Sequence, residues 1–345
     1  MQRCLELALK ASGAVAPNPM VGAVLVHRGR IIGEGYHRQY GQAHAEVNCI
    51  NDAIAGGHTD KLLESELYVS LEPCAHFGKT PPCADLIIRH RIPRVIVGTR
   101  DPFPQVNGKG IEKLIAAGVD VQTGLLEKEC LDLNKRFLTF HRLHRPYVIL
   151  KWAQTADGFI AGAGKERLLI SNASSNRLVH RWRSEEPAIL VGTRTALLDD
   201  PQLNTRLWPG NSPVRLVIDM ELDLPASMHV FDGKVRTIVF NSIKHEMDGG
   251  NLEYYQVKGD TSLVEKILHA LRNMRLQSLL VEGGAATLQS FIDEGAWDEA
   301  RIITNPTMMT GGGLPAPVLS EFIKTDTFKT GDDRIDIFKR VNTEA

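Results

Sequence analysis

His44-Ala45-Glu46, Glu72-Pro73-Cys74 and Pro81-Pro82-Cys83 are the three motifs that say most about the fold of the first half. The first tripeptide begins a segment with helical periodicity, and the second ends an apolar strand. The third ends in a cysteine at the start of a predicted helix. One imidazole and two thiolates can hold a catalytic zinc ion with three protein donors and one open position. The pattern therefore predicts one zinc ion per chain, bound by His44, Cys74 and Cys83.

Glu46 lies two residues beyond His44, so both side chains can face one pocket if a helix begins near residue 44. Zinc lowers the pKa of a bound water towards neutrality, which provides hydroxide at physiological pH. A neighbouring carboxylate can then move protons to a leaving amine, as in the zinc deaminases. Alone, a His-Ala-Glu tripeptide is common and cysteines are often core thiols. The joint order of the motifs favours a zinc deaminase with Glu46 as the catalytic residue.

Length, charge and cysteine content restrict the class of protein. The 345 residues suit two domains, and 40 basic against 41 acidic residues give a net charge of -1, which does not suggest a nucleic-acid partner. Five cysteines in a chain of this length do not indicate a disulfide framework. No stretch approaches the roughly 18 apolar residues of a membrane span, and the N-terminus does not read as a signal peptide. We therefore expect a cytoplasmic protein that binds neither nucleic acid nor membrane.

Short apolar runs alternate with helical periodicity, which indicates an α/β fold class. Residues 127–143 are predicted as one polar helix, which Pro146 separates from a strand beginning at Tyr147. We place the domain boundary there, with a first domain over residues 1–145 and a second over residues 146–345. In the second half the same reasoning predicts strands at 147–152, 188–192, 215–219, 237–240 and 278–281, and helices at 173–184, 262–274 and 285–294.

The long Cys74–Cys83 loop differs from the Pro-Cys-x-x-Cys spacing of general nucleobase deaminases. With Asn18-Pro19-Met20-Val21-Gly22 and the segment 101–110, it resembles the deaminase domain of riboflavin biosynthesis over residues 1–145. The resemblance implies a cytidine-deaminase-like α/β/α domain that acts on a phosphoribosylaminopyrimidine. Further candidates for substrate binding are Asn18, His76 and Lys79. Asn18 can equally form a turn, and Lys79 can equally be a solvated loop lysine.

The second half lacks the Gly-x-Gly-x-x-Gly fingerprint of a Rossmann domain. It contains instead Val281-Glu282-Gly283-Gly284-Ala285, in which a strand passes into a helix through two glycines. Such a turn presents backbone N–H groups that suit a cofactor pyrophosphate, although many turns of this kind are purely structural.

Three blocks, 151–158, 189–193 and 198–206, resemble the reductase domain that follows the deaminase in the same pathway. The resemblance implies a dihydrofolate-reductase-like α/β domain that uses NADPH, and a homo-oligomer. The cofactor site that it implies comprises Ala153, Leu169, Thr195, Asp199 and Gly284. The substrate site that it implies comprises Arg167, Arg183, Leu203, Arg206 and Glu282.

The residue types are compatible with these roles but leave alternatives open. Arg183 and Arg206 suit a phosphate through bidentate N–H donors, yet either can be a surface arginine. Glu282 can hydrogen-bond the pyrimidine, and Asp199 can orient a ribose, assist protonation or cap a helix end. Residues 220–223 (Met-Glu-Leu-Asp) stand where the family usually has basic residues, so the preference for NADPH over NADH rests on the resemblance.

The resulting prediction is a bifunctional enzyme. Its first domain would deaminate 2,5-diamino-6-(5-phosphoribosylamino)pyrimidin-4(3H)-one by zinc-dependent hydrolysis. Its second would use NADPH to reduce the ribosyl group of 5-amino-6-(5-phosphoribosylamino)uracil to ribityl. The alternative is a tRNA deaminase with a non-catalytic C-terminal binding or oligomerisation domain. That alternative requires a basic face, which the near-neutral charge disfavours.

Overall fold

A computed structural model describes residues 1–77, 81–103, 106–164 and 168–341. The chain divides into two units, Met1–His144 and Arg145–Ala345. None of the helices in the described ranges is long and apolar enough to span a membrane.

The first unit is built on a five-stranded sheet of order β2-β1-β3-β4-β5, in which β1 pairs antiparallel with β2 and β3 while β3, β4 and β5 are parallel. Its strands are β1 Gly22–His27, β2 Arg30–Tyr36, β3 Ser65–Leu71, β4 Arg94–Thr99 and β5 Asp120–Thr123. Its helices are α1 Gln2–Leu9, α2 Ala45–Ala55, α3 Cys83–Arg89, α4 Lys109–Ala116, α5 Glu127–Leu133 and α6 Lys135–Arg142, with a 3-10 helix at Thr59–Glu64.

Two glycines bring helix α2 close to strand β2. A Cβ atom at Gly33 or at Gly35 would collide with the backbone of Cys49 in α2, so only glycine permits this separation. Apolar residues of α2 such as Ile50 and Ala53 complete the contact in the core of this unit. The close packing fixes the N-terminus of α2, where the residues of the His-Ala-Glu motif lie.

The segment predicted as one helix over residues 127–143 is instead two helices, α5 and α6, so this prediction is wrong. The chain leaves helical geometry at Asn134, whose φ is -104° and ψ is 20°. The Asn134 side chain is buried and bonds both backbone groups of Met20, accepting its N–H at 2.8 Å and donating to its C=O at 2.9 Å. A tertiary contact therefore overrides the local helical pattern.

The second unit contains a nine-stranded sheet of order β11-β10-β9-β8-β12-β6-β13-β16-β15, parallel from β11 to β13 and antiparallel at β16 and β15, and a two-stranded sheet of β14 and β7. Its strands are β6 Tyr147–Gln154, β7 Phe159–Gly162, β8 Ala188–Val191, β9 Val214–Ile218, β10 Thr237–Asn241, β11 Leu252–Gln256, β12 Ser278–Val281, β13 Glu299–Thr304, β14 Gly313–Pro315, β15 Phe322–Thr330 and β16 Asp333–Arg340. Its helices are α7 Ala173–Glu185, α8 Thr193–Asp199, α9 Leu263–Asn273 and α10 Ala285–Asp293, with a 3-10 helix at His229–Phe231.

Separate apolar clusters hold the helices of this unit to the sheet. Residues of α9 and α10, such as Leu271 and Phe291, pack with Trp152 and Phe240 in one cluster, and Ala196 of α8 belongs to another. All five strands predicted in this half are present within two residues of their predicted ends. The α/β class is thus confirmed for both units, with a mixed parallel and antiparallel sheet in the second.

Candidate active sites

His44, Cys74 and Cys83 come together as a metal-binding group at one end of the first sheet. The Nδ1 atom of His44 lies 3.6 Å from Sγ of Cys74 and 3.3 Å from Sγ of Cys83. Tetrahedral zinc with Zn–N near 2.0 Å and Zn–S near 2.3 Å requires N to S separations of about 3.6 Å. The three donor atoms all lie within 4.8 Å of one another. This donor set and its spacing therefore fit one zinc ion.

The hydrogen bond between the two cysteines shifts their pKa values in opposite directions, lowering that of Cys74 and raising that of Cys83. A hydrogen bond from Cys83 lowers the pKa of Cys74 to about 4, against the raising effect of burial. The backbone N–H of Cys83 also donates to the Cys74 sulfur at 3.3 Å. Cys83 is itself the first residue of α3, where the helix dipole stabilises negative charge. Thiolates are the form that binds a metal.

Glu46 lies in the first turn of α2 and is only 3% exposed. Burial raises its pKa to about 7, and the nearby charge of Cys74 adds to this effect. A carboxyl group with such a pKa can both accept and release a proton near neutral pH.

His37 connects Asn18 to the metal-binding group. The His37 ring packs edge-on against His44, with ring centroids 5.3 Å apart. Its Nε2 lies 3.1 Å from the Asn18 amide nitrogen and its Nδ1 lies 3.1 Å from the carbonyl oxygen of Ala43. An amide N–H2 donates and a carbonyl accepts, so the proton sits on Nδ1 and the ring is neutral. Burial agrees with this because it lowers the pKa of His37.

Glu72 organises the loop that follows strand β4. The Glu72 side chain is buried and accepts backbone N–H groups of Asp101, Gly108, Gly110 and Ile111 over 2.9 to 3.4 Å. This holds Asp101 near the metal ligands, where burial raises its pKa to about 7.

His76 lies in the loop between the two cysteines, with its ring centroid 6.1 Å from that of Phe103. Its Nδ1 is buried and has no hydrogen-bond partner in the described part of the chain. Lys79, the other candidate in this loop, lies outside the described residues.

The second unit contains a buried ionic cluster at the end of strand β12. Arg183 donates two bonds to the Glu282 carboxylate, from Nε at 2.9 Å and from Nη2 at 2.7 Å. Lys151 places its Nζ 3.6 Å from the same carboxylate. Burial would raise the pKa of Glu282, but the charges of Arg183 and Lys151 outweigh it and lower the pKa to about 2. Glu282 is thus ionised and its charge is held between two cations.

His180 adjoins this cluster from helix α7. It is 4% exposed, and its Nδ1 accepts the backbone N–H of Arg206 at 3.1 Å. Burial, reinforced by the charges of Arg183 and Arg206, lowers the pKa of His180 to about 4. The ring is therefore a neutral acceptor that fixes the backbone at Arg206.

The glycine turn after β12 adjoins the start of helix α8. Gly284 has a φ of 72° and precedes α10, and a Cβ there would lie 3.0 Å from Oγ1 of Thr195. Gly192, which precedes α8, has no room for a side chain beside Thr287 of α10. Because β8 and β12 are adjacent and parallel, the N-termini of α8 and α10 open at the same edge of the sheet.

Two family models match the chain. The one described as RibD C-terminal domain matches residues 146–329, and the one described as cytidine and deoxycytidylate deaminase zinc-binding region matches residues 1–99. Riboflavin biosynthesis protein RibD of Aquifex aeolicus is 40% identical over 355 residues, covering 99% of this chain and 97% of the relative. The chain belongs to the RibD family.

Solved structures of RibD-family proteins are similar to 99% of the chain. The Thermotoga maritima diaminohydroxyphosphoribosylaminopyrimidine deaminase/5-amino-6-(5-phosphoribosylamino)uracil reductase has a TM-score of 0.89 and 36% identity, covering 99% of this chain and 97% of that one. Acinetobacter baumannii RibD has a TM-score of 0.88 and 29% identity, covering 99% and 98%.

RibD membership confirms the predicted function: the chain is a bifunctional zinc-binding deaminase and reductase of riboflavin biosynthesis. The zinc-binding site at His44, Cys74 and Cys83 is confirmed with it. A RibD reductase domain in the second half removes the basis for the alternative of a tRNA deaminase with a non-catalytic second half.

The residues predicted for the RibD reductase site are in different environments. Glu282 and Arg183 pair directly, and Thr195 adjoins Gly284. Leu203 is 2% exposed and packs in the core, whereas Leu169 is 70% exposed. The remaining members fall as follows: Ala153 is half-buried in β6, Asp199 ends α8, Arg206 is exposed, and Arg167 lies outside the described residues.

Several residues of these two sites were not predicted from the sequence of this chain. His37, Glu72 and Asp101 in the first unit, and Lys151 and His180 in the second, were given no role. The acidic residue of Glu72-Pro73-Cys74 lies two residues before a metal ligand, which was an available signal. His37 and His180 belong to no local motif, and their partners lie 19 and 26 residues away in the sequence.

Proposed function

We propose that the first domain, residues 1–145, hydrolyses 2,5-diamino-6-(5-phosphoribosylamino)pyrimidin-4(3H)-one with release of ammonia. The second domain, residues 146–345, would then reduce the ribosyl group of the product to ribityl with NADPH. The observation that carries the proposal is the buried Glu46 carboxyl beside the three donor atoms of His44, Cys74 and Cys83.

In the deamination, a C–O bond to water forms and the C–N bond to the amine breaks. Zinc, when bound, supplies Lewis-acid activation of the attacking water. Glu46 accepts a proton from this water and delivers it to the departing nitrogen, which its pKa of about 7 permits in both directions. His37, held in one tautomer by Asn18 and Ala43, fixes the orientation of the His44 ring that it packs against.

In the reduction, the bond between the sugar C1 and the ring oxygen breaks, C1 gains a hydride, and the released oxygen takes up one proton to become a hydroxyl. NADPH, when bound, supplies the hydride. The turn at Gly284 suits the cofactor pyrophosphate because it opens the N-terminus of α10. Lys151 supplies an acidic N–H beside Glu282, and Arg183 is already engaged by Glu282. Arg206, which is exposed and whose Nη1 donates to Asn204 Oδ1 at 3.0 Å, is a second candidate ligand of the substrate phosphate.

The test is a parallel assay on zinc-loaded protein with the deaminase substrate and NADPH supplied together. Ammonia release and loss of NADPH absorbance should appear in equal amounts. Ammonia without NADPH oxidation, and also without NADH oxidation, would contradict the proposed second activity. No ammonia from this substrate would contradict the first.

We further propose that the enzyme is a homo-oligomer. Strand β15 forms an edge of the nine-stranded sheet, and its Phe322 and Ile323 are 44% and 54% exposed. Exposed apolar edge strands invite pairing with another chain. Light scattering on the purified protein should give a mass above that of one chain, and Ile323→Lys should reduce it. A monomeric wild type would contradict this.

We also propose that the enzyme acts in the cytoplasm. Both cysteine ligands must stay reduced to bind zinc, and a reducing compartment favours this. Cell fractionation with an antibody should recover the chain with cytoplasmic markers, and recovery with exported proteins would contradict the proposal.

A further inference from the structure

Residues 204–212 form a closed loop between helix α8 and strand β9, the 204–212 loop. The backbone N–H of Thr205 donates to Oγ of Ser212 at 3.1 Å, and Oγ1 of Thr205 donates to the carbonyl oxygen of Asn211 at 3.2 Å. These bonds join the start of the loop to its end, as in other compact surface loops. Trp208 lies midway between the joined ends.

Two hydrogen bonds fix the start of the 204–212 loop beside the buried ionic cluster. Arg183, whose Nε and Nη2 bind Glu282, donates from Nη1 to the carbonyl oxygen of Asn204 at 3.2 Å. The backbone N–H of Arg206 donates to Nδ1 of buried His180 at 3.1 Å. The backbone of Arg206 is therefore held close to this cluster, whereas its side chain is exposed.

An aromatic contact holds the middle of the loop on helix α7. The guanidinium carbons of Arg177 and Arg181 lie 5.4 Å and 5.8 Å from the centroid of the Trp208 ring. The two arginines lie one helical turn apart on the same face of α7, and Arg181 is also held by Glu185 at 3.0 Å. Tryptophan is the aromatic side chain that attracts such cations most strongly. Two arginine side chains of the helix therefore anchor Trp208.

Gly210 brings the end of the loop back onto the same helix. Its φ is 131°, and a Cβ atom added there would lie 2.8 Å from Cβ of Ser184. Only glycine permits this approach, since it has no Cβ and adopts a positive φ readily. Ser184 directly follows Arg183 in α7, so the loop is attached to this helix at its start, its middle and its end.

These attachments set the geometry of Arg206. The loop supplies the backbone of Arg206 and also one partner of its guanidinium, since Nη1 donates to Oδ1 of Asn204 at 3.0 Å. A guanidinium binds a phosphate well through two parallel N–H donors when its position and direction are held. The attachments at Asn204, Arg206 and Gly210 involve the backbone, whereas the attachment at Trp208 is made by a side chain that a substitution can remove.

We propose that Trp208 is a positioning residue of the reductase. By holding the 204–212 loop on α7, Trp208 directs Arg206 at the phosphate of the substrate, and so makes the second domain select the phosphorylated substrate over the same compound without its phosphate. The inference rests on the proposed reduction of the phosphoribosyl substrate and on Arg206 as a ligand of its phosphate.

The test compares the reduction of 5-amino-6-(5-phosphoribosylamino)uracil and of its dephosphorylated form by the full-length protein with NADPH. Trp208→Ala should lower kcat/KM about tenfold for the phosphorylated substrate, mainly through a higher KM, because a charged hydrogen bond to the phosphate is weakened. The kcat/KM for the dephosphorylated form and the Kd for NADPH should match wild type. Trp208→Phe should restore most of the preference, because an aromatic ring remains.

A matched control removes a cation–ring contact elsewhere in the second unit. Tyr254→Ala removes the ring that lies 3.6 Å from Nζ of Lys244, in the edge strand β11. This variant should keep the wild-type preference for the phosphorylated substrate. Thermal melting of every variant verifies that it is folded.

A double-mutant cycle tests whether Trp208 acts through Arg206. In an Arg206→Ala background, Trp208→Ala should change kcat/KM for the phosphorylated substrate by less than about twofold. Additive effects of the two substitutions, or an equal loss with both substrates in Trp208→Ala, would overturn the inference. If wild type reduces the phosphorylated substrate and Trp208→Ala matches it, the inference fails while the proposed reductase stands. If wild type does not reduce this substrate, the proposed function fails and the inference fails with it.

Discussion

The Oε1 oxygen of Glu72 accepts the backbone N–H of Gly110 at 2.9 Å, which ties the first turn of α4 to the end of β3. Gly110 also packs so closely on the carbonyl of Pro73 that a side chain there would collide with it. Pro73 directly precedes the zinc ligand Cys74. The buried carboxylate therefore connects the loop carrying Asp101 to the metal-binding segment.

Glu72→Gln should impair deamination without removing zinc. The amide replaces one acceptor oxygen by an N–H2 donor, which faces backbone N–H donors of this loop. We expect a loss of about 2 to 3 kcal/mol in the unfolding free energy of the first unit, and a 10- to 100-fold fall in deaminase kcat/KM. Metal analysis, thermal melting and ammonia release check this, with exposed Glu129→Gln as the control. Wild-type kinetics in the Glu72 variant would contradict the positioning role.

Gly284→Ala should weaken NADPH binding. A residue with a side chain at a φ of 72° costs about 1 to 3 kcal/mol, and the added Cβ would crowd Oγ1 of Thr195. The measurement is the Kd for NADPH by tryptophan fluorescence quenching. Gly233→Ala is the matched control, because Gly233 also has a positive φ of 69°, but a Cβ added there would have no atom within 4 Å. An equal effect of both substitutions on the Kd would contradict a cofactor role for the Gly284 turn.

Glu282→Gln should abolish the reductase and leave ammonia release intact. The substitution removes the carboxylate charge that lies between Arg183 and Lys151, and breaking a buried pair costs about 3 to 5 kcal/mol. A surface control is Glu246→Gln, which removes the exposed partner of Lys244, a pair worth under about 1 kcal/mol. NADPH oxidation with deaminated substrate and thermal melting distinguish the two. Retained reductase activity in Glu282→Gln would remove this cluster from the active site.

Acidification should destabilise the second unit through His180. Its pKa falls from 6.5 to about 4 on folding, so between these values the unfolded chain binds the proton more readily. Above pH 6.5 the neutral His180 ring does not reduce the unfolding free energy. As the pH falls from 6.5 to 4, the unfolding free energy decreases by roughly 3 kcal/mol in all. In His180→Asn the amide oxygen can still accept the Arg206 N–H, and this pH dependence should disappear. Urea unfolding at pH 7 and pH 4.5 measures it, and an unchanged pH dependence would contradict this explanation.

The zinc site could be predicted because each ligand belongs to a local motif. His44 precedes a helix, Cys74 follows a buried strand, and Cys83 begins another helix, so secondary structure alone brings the three to one end of the sheet. The strand Ser278–Val281 was predictable for a similar reason, since a run of buried aliphatic residues ends at two glycines.

Features that depend on distant partners could not be predicted. The break at Asn134 requires Met20, which lies 114 residues away in the sequence, and the local pattern continues as a helix through it. The pairing of Arg183 with Glu282 joins residues 99 apart. Strand β15 was missed because most of its residues are exposed and polar, so neither alternation nor an apolar run marks it.

The most direct test of the two-site account is Glu46→Gln in full-length, zinc-loaded protein. Ammonia release should fall by about 10² to 10⁴-fold because the proton carrier is lost. Zinc content should remain one per chain, and oxidation of NADPH with the deaminated substrate should match wild type. Full ammonia release by this variant would contradict the role of Glu46 and with it the proposed deamination mechanism.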